Sequence, residues 1–184
     1  MWSLNNKTIV ITGATNGIGR AAAIELAKKN PKLIFTYRSK DLADSLIDEI
    51  RETSPNVEIY SMFCDFSNQE SIRKSAAEIN NLSSIIDVLI NNAGVVNTSY
   101  HETDQGIENT FAVNHLGYFL FTNLLLEKMK GETETRIINV SSAAHGFIKE
   151  MQWEDINFKN NFGQGLKVYS QSKLANMLFT RYLA

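Results

Sequence analysis

The sequence reads as an α/β protein, a doubly wound parallel sheet with helices packed on both faces. Short β-branched apolar runs recur along the chain, and longer stretches of helical spacing separate them. The first of these runs passes directly into a glycine-rich turn. Strand alternating with helix implies parallel pairing through crossover helices.

The strands are expected at Thr8–Thr12, Lys32–Tyr37, Val57–Phe63, Val88–Asn91 and Arg136–Val140. Their nearly continuous apolar character suits strands covered on both faces. Helical spacing appears in Ile24, Leu26 and Ala27, then in Leu42, Leu46, Ile47 and Ile50, then in Ile72, Ala76, Ala77 and Ile79. A long helix is expected from about Asp104 to Met129, and a second over residues 167–184. Pro31 follows a helix and Pro55 precedes a strand, both ordinary punctuation. There is no repeat or linker, so residues 1–184 are expected to form a single dinucleotide-binding domain. The last helix has Leu174, Met177, Leu178 and Tyr182 on one stripe and no cap. A piece of a longer gene product is therefore expected, truncated at its C-terminal end.

Composition narrows the function classes. Hydrophobic content of 43% and charged content of 21% are ordinary for a globular protein. A net charge of −2 gives no ground for a nucleic-acid or anionic-membrane partner. The lone Cys64 excludes an intrachain disulfide. No stretch reaches the roughly 18 apolar residues of a membrane span, and MWSLNNK lacks the features of a signal peptide. The expected location is intracellular and cytoplasmic.

In TGATNGIG, residues 12–19, each glycine has a distinct use. Gly13 allows a sharp turn, Gly17 lets backbone approach a pyrophosphate, and Gly19 removes a side chain where helix meets strand. The helix N-terminus then offers N–H groups and a positive dipole end to an anion. The spacing G-x-x-x-G-x-G departs from the usual G-x-G-x-x-G, and a tight turn without a ligand is the plainer alternative. The second strand ends in FTYRSKD, where NAD-selective proteins usually carry a carboxylate. Arg38, with Lys40 close behind, suits a 2′-phosphate, since a guanidinium can bind it bidentately. NADP(H) is therefore expected over NAD(H); a solvated surface arginine is the alternative. Asp65 can accept a hydrogen bond from an adenine amine, or cap the next helix together with Ser67. In NNAG, Ala93 and Gly94 leave room for a cofactor, and the Asn91–Asn92 pair can hold the loop.

Tyr169 and Lys173 are four residues apart on a helix, so they share a face. A free phenol has a pKa of about 10, and a nearby ammonium favours its ionised form. Such a tyrosine can protonate a ketone oxygen as hydride reaches the carbon, or accept the alcohol's proton in reverse. Ser141 and Ser142 fall at the carboxyl end of the fifth strand, where a hydroxyl can steady the substrate oxygen. A strand-end cap is the alternative for Ser141. Asn114 lies mid-helix beside Val113, Leu116 and Phe119, which argue for a buried amide in need of partners.

Together these motifs resemble the short-chain dehydrogenase/reductase family. The matching pieces are TGATNGIG, Asp65 of CDF, NNAG, Asn114, the VSS segment at 140–142 and YSQSK at 169–173, in the family's order and over nearly the whole chain. The resemblance implies a Rossmann-like sheet of order 3-2-1-4-5, lacking the family's last strands and its substrate-binding loop. It implies a catalytic set of Asn114, Ser142, Tyr169 and Lys173. The implied cofactor set is Gly13, Thr15, Asn16, Gly17, Ile18, Gly19, Arg38, Asp65, Asn92, Ala93, Gly94, Tyr169 and Lys173. Ser142 and Tyr169 stand 27 positions apart, about twice the gap in many members. The intervening KEMQWEDINFKNNFGQGL looks like the longer segment of the retinol dehydrogenase-like branch, which acts on retinoids and other lipophilic carbonyls and favours NADP(H). That branch is often membrane-anchored, and no anchor is visible here. Pairing of two copies through the two long helices is also implied.

The expected activity is hydride transfer between NADP(H) and an aldehyde, ketone or secondary alcohol. A non-catalytic nucleotide-binding module, a sensor or scaffold, is the competing class; a sugar-nucleotide epimerase fits the glycine spacing less well. No metal site is expected, because His101, His115 and His145 are scattered. Cys64 reads as a buried strand thiol, and Phe119 and Phe121 as core. Trp153 and Phe158 either line a substrate entrance or fasten a long loop.

Overall fold

The computed structural model describes residues 3–130 and 134–184. Met1 and Trp2, the start of the N-terminal stretch read above, lie outside the described residues. Five strands form one parallel sheet: β1 (Thr8–Ile11), β2 (Lys32–Tyr37), β3 (Glu58–Phe63), β4 (Val88–Asn91) and β5 (Arg136–Asn139). Their order is β3-β2-β1-β4-β5. Each matches its expected run to within a residue at either end. The order reverses direction between β1 and β4, and open sheets of this kind bind ligands at that switch point.

Alternation along the strands feeds two cores. Val10, Ile34 and Leu89 point to one face, where Ile72 and Ile79 of α3 (Gln69–Leu82) meet Phe121 and Leu125 of α5 (Gly117–Leu125). Ile9, Ile11, Leu33 and Phe35 point to the other. There they meet Ala23 and Ala27 of α1 (Gly17–Ala27), and Leu46 and Ile50 of α2 (Lys40–Thr53). Coverage on both faces holds for β1, β2 and β4. The outer strands β3 and β5 are only half covered, with Phe63 and Ile138 exposed.

The long helix departs most from expectation. Residues 101–108 are irregular apart from a single bridge between Glu102 and Glu108, and helix begins at α4 (Asn109–Phe111). Glu108 stops it from starting earlier: its buried carboxylate accepts from Phe111 N at 2.7 Å. A π-helical turn follows at Ala112–Leu116, then α5, then a 3₁₀ turn at Leu126–Met129. Phe121 is core as expected, but Phe119 is exposed, because α5 turns that face away from the sheet. The last helix, α6 (Leu166–Leu183), leaves Met177, Leu178 and Tyr182 exposed.

Before α6, three successive residues take left-handed backbone: Gly163 (φ 56°), Gln164 (φ 57°) and Gly165 (φ 83°). A Cβ on Gly165 would lie 1.8 Å from the Asn97 carbonyl oxygen, so only glycine fits there. A small third core of Phe111, Met151, Phe158, Val168 and Ala175 fastens the segment ahead of that turn. Phe158 therefore fastens the loop, whereas Trp153 is exposed. Among the described residues no helix is long and apolar enough to cross a membrane.

Candidate active site

The loop after β1 is pinned by a threonine. Thr12 Oγ1 accepts from Asn92 N at 2.9 Å and from Ala93 N at 3.0 Å. Asn92 Nδ2 returns two bonds, to Thr12 O at 2.9 Å and Gly13 O at 3.0 Å. The loop-holding role expected of the asparagine pair thus falls to Asn92. Asn91 turns beneath the sheet end, donating to Thr122 Oγ1 at 2.9 Å and Asn139 Oδ1 at 2.7 Å. Gly13 has φ 64°, and a Cβ there would lie 2.6 Å from Ala93 Cα. Thr12 escaped the sequence reading, although its place between a strand and Gly13 was the available signal.

The start of α1 is open to an anion. Its N-cap, Asn16, makes no side-chain cap bond, and its first turn carries no acidic residue. Free N–H groups at such an end attract negative charge. Arg38 is exposed at the cleft rim and forms no ion pair among the described residues, while Lys40 is turned to Asp44. Asp65 also lines the cleft, and accepts from Ser67 N at 2.9 Å and Ser67 Oγ at 2.7 Å. It does not cap α3; Asn68 does, accepting from Ser71 N at 2.9 Å. Cys64, also on the cleft wall, is buried, and burial pushes its thiol up to about 12.

At the far end of the cleft stand Tyr169 and Lys173. Lys173 Nζ lies 5.6 Å from the centre of the Tyr169 ring and 5.9 Å from that of the buried Tyr118. It donates to Val140 O at 3.1 Å and is only 4% exposed. Burial holds its ammonium well below the ordinary lysine value, at about 8. Ser142 Oγ accepts from Ala144 N at 3.2 Å, capping the 3₁₀ turn Ala143–Phe147. Ser141 Oγ instead donates to Lys173 O at 2.9 Å, tying the end of β5 to α6. His145 serves that same turn, its Nδ1 lying 2.7 Å from Ser142 O.

One cleft of about 560 Å³ brings these groups together. Its walls include Gly13, Thr15, Asn16, Ile18, Gly19, Arg38, Asp65, Asn92, Ala93, Gly94, Ser142, Tyr169 and Lys173. Gly17 and Asn114 are not on its walls. Asn114 is fully buried behind Gly94, where its amide pairs with Val95: Oδ1 accepts from Val95 N at 2.8 Å, and Nδ2 donates to Val95 O at 2.9 Å. Trp153 lines a separate apolar cavity beside Phe119 and Tyr182, away from the cleft. Among the described residues no cluster of three or more His, Cys, Asp or Glu side chains is placed to hold a metal ion.

The sequence and the fold resemble those of known proteins. The model of the short chain dehydrogenase family matches residues 7–154. Human retinol dehydrogenase 13 is 38% identical over 182 residues, covering 99% of this chain and 55% of that protein. Human retinol dehydrogenase 12 is 40% identical over 181 residues, covering 98% and 57%. The chain thus spans about half the length of the curated relatives it matches. A crystal structure of an uncharacterized protein from Mycobacterium paratuberculosis superposes with a TM-score of 0.84 at 35% identity, over 98% of this chain and 62% of that one. A metagenomic short-chain oxidoreductase in complex with NADP superposes with a TM-score of 0.79 at 26% identity, over 100% and 77%. The chain belongs to the short-chain dehydrogenase/reductase family, in its retinol dehydrogenase-like branch.

Proposed function

We propose that this chain binds NADP(H) along the cleft and is the acid–base half of an oxidoreductase acting on a lipophilic aldehyde, ketone or secondary alcohol. One observation carries the reading: the uncapped glycine loop, Arg38 and the Tyr169–Lys173 pair all line the same cleft. The residues fit a dinucleotide. The uncapped first turn of α1 offers N–H groups to a diphosphate, Arg38 is uncommitted at the rim, and the Asp65 carboxylate on the cleft wall can accept from an adenine amine. When bound, the nicotinamide supplies or accepts the hydride. Tyr169 gives the proton to the substrate oxygen or takes it back, Lys173 holds positive charge beside the phenol, and Ser142 steadies the oxygen. Asn114 acts from behind, keeping the cleft floor at Val95 in place. The names of the relatives point to retinoid-like substrates.

The test combines two measurements on the purified chain. NADPH oxidation is followed with a panel of aldehydes and ketones, and NADPH binding by calorimetry. Turnover is expected for at least one lipophilic aldehyde or ketone. Binding without turnover across the panel would leave a nucleotide-binding module, and absence of binding would sink the cleft assignment itself.

Arg38→Asp is expected to weaken NADPH relative to NADH by about 1.5–3 kcal/mol, the worth of a charge-assisted hydrogen bond or slightly more. In dissociation constants that is roughly 10- to 150-fold. Equal losses for both cofactors would remove Arg38 as the phosphate reader.

A further inference from the structure

One buried polar network is used by none of the roles above. Asn176 sits on α6 one turn beyond Lys173 and is fully buried. Its Nδ2 donates to the main-chain oxygen of Asn114 at 2.8 Å. Its Oδ1 lies 3.1 Å from His115 Nδ1. The Asn114 oxygen belongs to the π turn, whose closing bond runs from Gly117 N to Ala112 O. That bond reaches back five residues, so the turn holds one more residue than an α-helix would. The Asn176 amide therefore ties a main-chain oxygen of that turn to α6. With the nitrogen committed to Asn114, the Asn176 oxygen must face the histidine, so the His115 proton sits on Nδ1. Burial pushes the His115 pKa down, in keeping with a neutral ring.

We propose that Asn176, locked by His115, is a positioning residue: it holds the extra residue of the π turn in place and so keeps the Asn114 amide aimed at Val95. The inference rests on reading Asn114, Tyr169 and Lys173 as parts of one site. The physical link is short. If the turn relaxed to α-helical register, residues beyond the lost position would rotate by about 100° around the axis. Asn114 would leave Val95, and the cleft wall at Gly94–Val96 would lose its anchor. Ser172 Oγ, which accepts from Asn114 Nδ2 at 3.1 Å, ties the side chain of Asn114 to α6, whereas Asn176 holds its main-chain oxygen.

The experiment is residue-resolved amide hydrogen exchange on the whole chain, with Asn176→Leu and His115→Phe as variants. Asn176→Leu is expected to speed exchange at Val95 N–H about tenfold or more, the loss of one buried hydrogen bond. Val10 and Ile34, at the centre of the sheet, should keep their rates. His115→Phe keeps the ring volume but releases the lock, and should give a smaller rise at Val95 alone. If Asn176→Leu does not fold, the His115→Phe measurement decides. Unchanged exchange at Val95, or equal acceleration at Val10 and Ile34, would overturn the proposal. Exchange is read without turnover, so failure of the enzyme reading would show separately in the substrate panel. Where turnover is found, kcat of Asn176→Leu should fall at least about tenfold, on the same energetic scale.

Discussion

Replacing Tyr169 by Phe is expected to lower kcat by about a thousandfold, within the range typical of a positioned general acid–base group, while NADPH binding stays nearly unchanged. The change removes one oxygen and keeps the ring that faces Lys173. Without the hydroxyl, the group proposed to protonate the substrate oxygen is gone. Lys173 is a poor substitute, since its Nζ already donates to Val140 O behind the phenol. The pH profile gives a second readout. Burial disfavours the ammonium, so Lys173 releases its proton near pH 8. Loss of that charge removes support for the phenolate left after proton transfer, and kcat/KM for reduction should fall as pH rises through about 8. Stability moves oppositely. Between about 8 and the ordinary 10.5 the unfolded lysine still holds its proton and the folded one does not, so stability rises with pH across that window. Full activity in Tyr169→Phe would end this mechanism.

Gly19→Ala is expected to destabilise the fold by about 3 kcal/mol, at the upper end of the usual cost of overpacking. Its Cβ would lie 2.3 Å from Gly13 O and 2.4 Å from Asn92 Nδ2. Gly13 O is backbone in a loop pinned by Thr12 and Asn92, so it has nowhere to retreat. The methyl would also break the bond from Asn92 Nδ2 to Gly13 O. For a chain of this size, the loss corresponds to a Tm lower by roughly 10 °C. Gly17→Ala is the control. Its φ of 53° carries a left-handed cost, but a Cβ there meets nothing within 4 Å, so about 1 kcal/mol is expected. Thermal unfolding of the two variants side by side checks the contrast, and equal losses would refute the contact-based account.

Most of the strands were legible because β-branched runs declare themselves locally, as in Thr8–Ile11 and Val88–Asn91, whereas their order came only from the family resemblance. The Tyr169–Lys173 pair was legible for the same reason, being one helical turn apart. The rest depended on contacts distant in sequence. Thr12 is an ordinary strand-end residue until Asn92 and Ala93 arrive from 80 residues away or more. The π turn has no local signature, since its stabilising amide comes from Asn176 on another helix. Phe119 reads as core by its spacing, yet beyond its contact with the Phe179 ring of α6 it is left half exposed. Asp65 carries the mark of a capping residue, but Asn68, three positions on, takes the cap.

The left-handed run ahead of α6 bears on how the site tolerates change. Gly165 is wedged against the Asn97 carbonyl, and Tyr169 follows it by a single helical turn. The depth of the phenol is therefore referenced to the loop after β4, which also lines the cleft, and not to the long excursion that precedes it. A distortion in that excursion which ends by residue 163 leaves the phenol in register with the cleft floor.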